Sequence, residues 1–118
     1  MKKSIWILSL VICISLCAFA SAEIIADGTC GATGDNLTWT LDDQGVLTIS
    51  GEGEMQDFSG ADDISAWRAY RTSVKSISFS GGITYIGDYA FNGFSSLNSR
   101  VTIPTSVTNI GSYVFDGL

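Results

Sequence analysis

The sequence predicts a mainly β protein, built as a short solenoid whose N-terminal side is capped by a β-hairpin and a helix. Three observations predict it. "ITYIGDYAFNGF" at 83–94 returns as "VTNIGSYVFDGL" at 107–118, an offset of 24 residues, which is the length of one short stacking unit. Leu37, Trp39 and Leu41 alternate with Thr38 and Thr40, the period of a half-buried strand. Trp67, Tyr70 and Val74 stand at i, i+3 and i+7, which puts them on one face of a short helix.

The chain opens on a segment that the fold does not use. Lys2 and Lys3 precede a mostly apolar, uncharged run from Ile5 to Leu16, and Ala18-Phe19-Ala20 and Ala20-Ser21-Ala22 follow. This is the layout of a secretory signal peptide with an A-x-A cleavage site. A spanning helix wants about 20 apolar residues, more than this run offers. Leu16 before Cys17 and Ile12 before Cys13 are too bulky for a lipoprotein processing site. The expectation is a signal peptide over 1–22, cut between Ala22 and Glu23. A capping region then spans 23–73, and two repeats span 74–118.

Removing 1–22 leaves Arg68, Arg71, Lys75 and Arg100 against all 12 carboxylates, a net charge of −8. Such a chain repels phosphate backbones, which excludes nucleic acid as a partner, and it is a poor ligand for anionic membranes. No stable membrane insertion is expected after processing. Cys13 and Cys17 leave with the signal, so Cys30 stands alone and no intramolecular disulfide framework forms. A lone cysteine in an exported chain pairs with a partner or packs as a small apolar residue; burial is the favoured reading.

Residues 23–36 are rich in Gly, Asp and Thr and predict an opening loop with a short strand at 24–26. Two strands follow, 37–41 and 46–49, joined by "DDQG", whose glycine is free to take positive φ. They predict a β-hairpin over 37–50. "GEGEMQDFSGADD" carries five carboxylates between Glu52 and Asp63. It lacks the alternate oxygen ligands and final bidentate Glu of a calcium loop, so it predicts a solvated acidic loop. Asp62 and Asp63 lie where carboxylates favour the start of the Trp67 helix.

From Lys75 the copies align without a gap. Ile77 matches Val101, Phe79 matches Ile103, Ile83 matches Val107, and Ile86-Gly87 matches Ile110-Gly111. Tyr89, Phe91 and Gly93 match Tyr113, Phe115 and Gly117. Matched positions are apolar or glycine and the others mostly polar, as stacking units require. The alignment predicts three-residue strands at 77–79 and 101–103, turns at "SGG" and "PTS", and an aromatic ladder in which Phe91 lies beside Phe115.

"VTIPTSVTNIGSYVF" resembles the BspA-like leucine-rich repeat, whose units run strand, I-P turn, I-G, then an aromatic-rich turn. "GTCG", "NLTWTLDDQGVLTISGEGEM" and "AWRAYRTSVKSISF" resemble the region that often precedes such repeats in secreted bacterial proteins. The resemblance spans nearly all of 28–118. It implies a right-handed leucine-rich-repeat-type solenoid at the cell surface, with adhesion or protein binding as its usual role. Many members carry Cys after the A-F-x-G of each unit; Phe94 and Leu118 stand there in this chain, leaving Cys30 without that partner. Only about two units are present, where solenoids usually need at least three, and the second has no polar closing unit. This end reads as a truncation.

Catalysis finds little to work with. Histidine is absent, which removes Ser-His-Asp and Cys-His sites and the commonest zinc and haem ligand. Cys30 has no base to activate it. The Asp42/Asp43 and Glu52/Glu54 pairs could be nominated for a carboxylate-based glycoside hydrolase, yet adjacent acids in turns are ordinary solvated residues. "DGTCGATGDN" lacks the Lys-Ser/Thr of a phosphate loop. No enzyme, cofactor or metal is expected. The outward positions of the repeat strands, Ser76, Ser78, Arg100 and Thr102, are the candidate binding residues, suited to an extracellular protein or glycan. A soluble strand face with no specific site and a structural capping fragment of a longer adhesin are the competing readings. Self-association through the open C-terminal repeat is a further expectation.

Overall fold

The computed structural model describes residues 22–117; the expected signal peptide as far as Ser21, and Leu118, lie outside the described residues. Five strands form one sheet in chain order: β1 Ile24–Gly31, β2 Gly34–Asp42, β3 Val46–Glu54, β4 Ser76–Ile86 and β5 Asn109–Ile110. The pairs β1–β2 and β2–β3 are antiparallel, whereas β3–β4 and β4–β5 are parallel. Parallel neighbours need a crossover, so the chain passes at β3 from hairpins into a winding coil.

The hairpin forms where the alternation places it. Leu37, Trp39, Leu41, Leu47 and Ile49 are buried, and Trp39 lies opposite Ile49. Its turn is held locally. The Asp42 carboxylate accepts the N–H groups of Gln44 at 2.8 Å and Val46 at 3.0 Å, and Gly45 takes φ 82°, which few other residues tolerate.

Three expectations around it need correction. Residues 24–31 form a full strand rather than an opening loop; β2 offers an open edge, and Cys30 and Gly31 bury against the core. The acidic loop is shorter than predicted, because β3 runs on to Glu54 and Met55 and Phe58 are buried. The predicted helix is a single 3-10 turn, Ala66–Tyr70. Trp67 and Val74 are buried as expected, but Tyr70 is 37% exposed and Arg68 is buried instead. A segment this short cannot hold a continuous α-helical face.

Trp67 occupies the centre of the core. Its ring lies 6.0 Å from Trp39, 5.4 Å from Phe58 and 6.0 Å from Phe91. Full burial of a side chain of this size contributes about 1.5–3 kcal/mol. The hairpin, the acidic loop and the first repeat thus meet on one indole.

The repeat is visible in the backbone. Tyr89 and Tyr113 take φ 62° and 59°, and Gly93 and Gly117 take φ 79° and 83°. Tyr89, Phe91 and Gly93 donate their N–H groups to the carbonyls of Ser112, Val114 and Asp116, each at 3.0 Å. The tyrosine pair stacks at 5.2 Å, and Phe91 lies 5.7 Å from Phe115, as the alignment requires. Gly87 is needed because a Cβ there would strike the Gln56 carbonyl oxygen.

The copies are not equally strand-like. "SGG" lies inside the long strand β4 rather than in a turn. Val101–Ile103 belongs to no strand, and the second unit pairs with β4 only through β5, at Tyr85–Asn109 and Ile86–Ile110. Its loop is pinned at both ends, by Asn98 N–H to the Lys75 carbonyl at 3.0 Å and by the Ser106 hydroxyl to the Ile83 carbonyl at 2.7 Å. Between the pins Pro104 has no N–H to donate, and the segment stands away from the β4 edge. The apolar positions of the second unit are correspondingly open. Ile110 is 47% exposed and Tyr113 61%, while Ile86 and Phe91 are fully buried.

Candidate functional site

Because Leu47, Ile49 and Ile77 point inward, the alternate residues of β3 and β4 point outward. The pairing register then sorts the outward side chains into rows. One row runs Asp27, Thr40, Thr48, Ser78 and another Thr29, Thr38, Ser50, Ser80. Neighbours in a row stand about 4.7–4.9 Å apart, the spacing of adjacent strands. The central positions of this face are hydroxyls. Ser and Thr hydroxyls that bond within the protein lie elsewhere, at Ser96, Ser99, Ser106 and Thr108 among them. Those of the rows have no protein partner among the described residues.

Where the second unit stands off from β4, a depression of about 380 Å³ opens, lined by Ile77, Ser78, Phe79, Arg100, Thr102 and Pro104. Three of the four candidate binding residues come together there: Ser78, Arg100 and Thr102, all exposed. Ser76 is half-buried at the start of β4 and does not line it. The sequence reading missed the apolar wall. Phe79 is part of the inner pattern, yet it is only half-buried, because the strand that would cover it is absent. Its ring is held edge-on to Phe91 at 6.1 Å. The hydroxyl rows were legible in "LTWTL", "VLTIS" and "SISFS".

Several of the other nominated groups hold the fold together. Cys30 is fully buried and unpaired, and burial pushes its thiol up to about 12, the opposite of an activated nucleophile. Asp42 holds the hairpin turn, and Asp43 accepts the Glu23 N–H at 3.1 Å. Ala22 and Glu23 are both exposed. Glu52 and Glu54 lie exposed on β3. Asp63 is held down to about 2, first by the Ser65 hydroxyl and then by the backbone N–H groups of Ser59 and Ser65, so it closes its own loop.

A carboxylate ladder joins the rungs. Asp57 Oδ1 accepts the Asp88 N–H at 2.9 Å and the Tyr85 hydroxyl at 2.7 Å, and Asp88 Oδ1 accepts the Ser112 N–H at 2.7 Å. The bond to Asp57 raises the Tyr85 phenol. No cluster suited to a metal ion occurs among the described residues, and no helix among them is long and apolar enough to cross a membrane.

No curated protein matches the chain. Among solved structures it is similar to a leucine-rich repeat protein from Eubacterium ventriosum, with 34% identity and a TM-score of 0.65. That match covers 78% of this chain and 24% of the other, so the chain spans about a quarter of its relative's length. Residues 63–118 match the model of a BspA type leucine rich repeat region (6 copies). The Tyr89/Tyr113 turn geometry, the ladder of cross-rung hydrogen bonds and both likenesses agree: the repeat-bearing part of this chain belongs to the BspA-type leucine-rich repeat family.

Proposed function

We propose that this chain is a secreted or cell-surface, non-catalytic binding module that recognises an extracellular protein or glycan through the outer face of β3, β4 and the Arg100–Pro104 segment. The observation that carries this reading is the run of unpartnered hydroxyls leading into the depression beside Arg100. The central rows of this face carry short hydroxyl side chains on β2, β3 and β4, with Asp27 of β1 at the far end of one row. Membership of a repeat family and the structural roles of Asp42, Asp43 and Cys30 support a non-catalytic role over hydrolysis. Ser78 is exposed, so Ser78→Trp should fill the depression without touching the core. We expect adhesion to immobilised extracellular proteins or glycans to fall about tenfold or more. Unchanged adhesion with the fold intact would move the site to another face.

Export is the reading that Lys2-Lys3, the apolar run and Ala20-Ser21-Ala22 support. Mass spectrometry of the secreted protein should find Glu23 as its first residue. Recovery of intact Met1 in a membrane fraction would reject it.

The open C-terminal face supports the second reading, a structural cap within a longer adhesin. Ile110, Tyr113 and Phe115 are uncovered, and β5 presents a strand edge, a surface that pairs unless charge or a cap blocks it. The isolated chain should therefore associate through this end. Sedimentation should show concentration-dependent oligomers that vanish when a copy patterned on 77–100 and a polar cap are added. A stable monomer with protected amides across 107–115 would contradict it.

A further inference from the structure

Of the four basic side chains in the described residues, two are spent on backbone carbonyls. The Arg68 guanidinium is buried against backbone carbonyls, and Arg71 donates to the Arg68 carbonyl at 3.0 Å. Lys75 lines a second depression together with Asp42 and Asp43. Arg100 differs. It lines the depression beside β4, no carboxylate shares that lining, and its guanidinium has no protein partner among the described residues. A chain with 12 carboxylates thus keeps this cation in a concave place whose lining holds none of them.

From this arrangement we infer that the depression binds a carboxylate-bearing sugar residue, an inference that rests on the proposed binding face. The planar fork of Arg100 matches a carboxylate with two parallel N–H···O bonds. Ser78 and Thr102 flank it with hydroxyls that both donate and accept, as sugar hydroxyls require. Phe79, Ile77 and Pro104 supply the apolar wall on which the C–H face of a pyranose rests. The free hydroxyls of Thr48 and Thr40 continue from Ser78 across the sheet, and those of Ser50 and Thr38 from Ser80, so neighbouring sugars of a chain meet further hydrogen-bonding groups.

Charge selects against other anions. A single cation on an acidic body balances one carboxylate, whereas a phosphate monoester, at about −1.5 to −2, or a polysulfated chain carries more charge than that cation offsets. The nearest acid along the Ser78 row is Asp27, opposite Thr40. It lies three strands from β4, about 14 Å away and beyond the Debye length of about 8 Å at physiological salt. Contact pairing at Arg100 therefore survives the repulsion of the body.

The test titrates the full chain with two matched pairs: trigalacturonate against galactotriose, and sialyllactose against lactose. One acidic sugar should bind about tenfold or more tightly than its neutral counterpart, and which one identifies a uronic or a sialic acid. Amide resonances of Ser78, Arg100 and Thr102 should shift in the complex. Arg100→Met should abolish the preference for acid while leaving the melting temperature unchanged, and Arg100→Lys should keep part of it. Equal affinity for acidic and neutral members, failure of both acids to bind at millimolar concentration, or a preference that survives Arg100→Met would each overturn the inference. If adhesion to an extracellular protein is lost in Ser78→Trp while neither acid binds, the inference falls and the binding face stands.

Discussion

Trp67→Ala should destabilise the protein by about 3–5 kcal/mol, the range for removing a large buried aromatic. Trp67 is completely buried, and its indole N–H donates to the Ala90 carbonyl at 2.7 Å. Its ring meets Trp39 of β2, Phe58 of the acidic loop and Phe91 of the first repeat. The substitution therefore opens a cavity at the point where three segments join, and it leaves the Ala90 carbonyl without its donor. A domain of this size holds roughly 5–15 kcal/mol in total, so the loss is a large share. In urea the midpoint should fall with the slope unchanged. Trp67→Phe keeps an aromatic ring but not the N–H, and should cost about 1–3 kcal/mol for the unsatisfied carbonyl together with the lost volume. A melting curve unaltered by Trp67→Ala would show that the hairpin and the repeat do not depend on this ring.

The sequence carried the repeat because stacking units bury the same positions each time. The offset of 24 fixed which turns would match, and Tyr89/Tyr113 and Gly93/Gly117 share their backbone angles accordingly. The hairpin was legible for the same reason, since one face of it is core. What escaped was the rung that precedes the repeat. Residues 46–58 stack on β4 in parallel, with Leu47 opposite Ile77, Ile49 opposite Phe79 and Gly51 opposite Gly81. Met55 donates to the Tyr85 carbonyl and Phe58 to that of Asp88. The longer crossover through Trp67 hides this rung from a search at constant spacing. The sheet therefore already holds a rung before the first recognisable copy.

The candidate site was half legible. Alternation placed Ser78, Arg100 and Thr102 on the outward side, where the structure has them. The depression itself depends on a failure of symmetry, the standing-off of 101–103 from β4, which the matched apolar positions Ile77/Val101 and Phe79/Ile103 cannot show. Phe79 and Pro104 enter the lining only for that reason. Tyr70 and Arg68 were exchanged because a periodicity argument assumes a regular helix, and 66–70 makes only one 3-10 turn.

Arg68→Met should cost about 3–5 kcal/mol, because several buried carbonyls lose a donor at about 1–3 kcal/mol each. A surface arginine would change stability by about 0.5 kcal/mol or less. Arg68 is fully buried, and burial lowers its basicity. No carboxylate oxygen bonds it; its partners are backbone carbonyls. Nε donates to Asp63 at 3.0 Å, Nη1 to Tyr89 at 2.9 Å and Asn92 at 2.6 Å, and Nη2 to Ala61 at 2.9 Å. One side chain thus satisfies carbonyls in the acidic loop and in the aromatic turn of the first repeat, where no strand or helix supplies donors. Methionine fills much of the same volume but donates nothing, so each carbonyl that stays dry contributes about 1–3 kcal/mol of penalty. Lysine should rescue little, because its three donors radiate from one point and cannot reach both loops. The loss should be insensitive to salt, since buried interactions are weakly screened, and flat across neutral pH, where the guanidinium stays charged. Amide exchange should quicken together over 60–63 and 89–92, because a single group ties the two. Arg68→Lys matching the wild type in stability would mean that charge alone, without the fork, holds the acidic loop against the repeat.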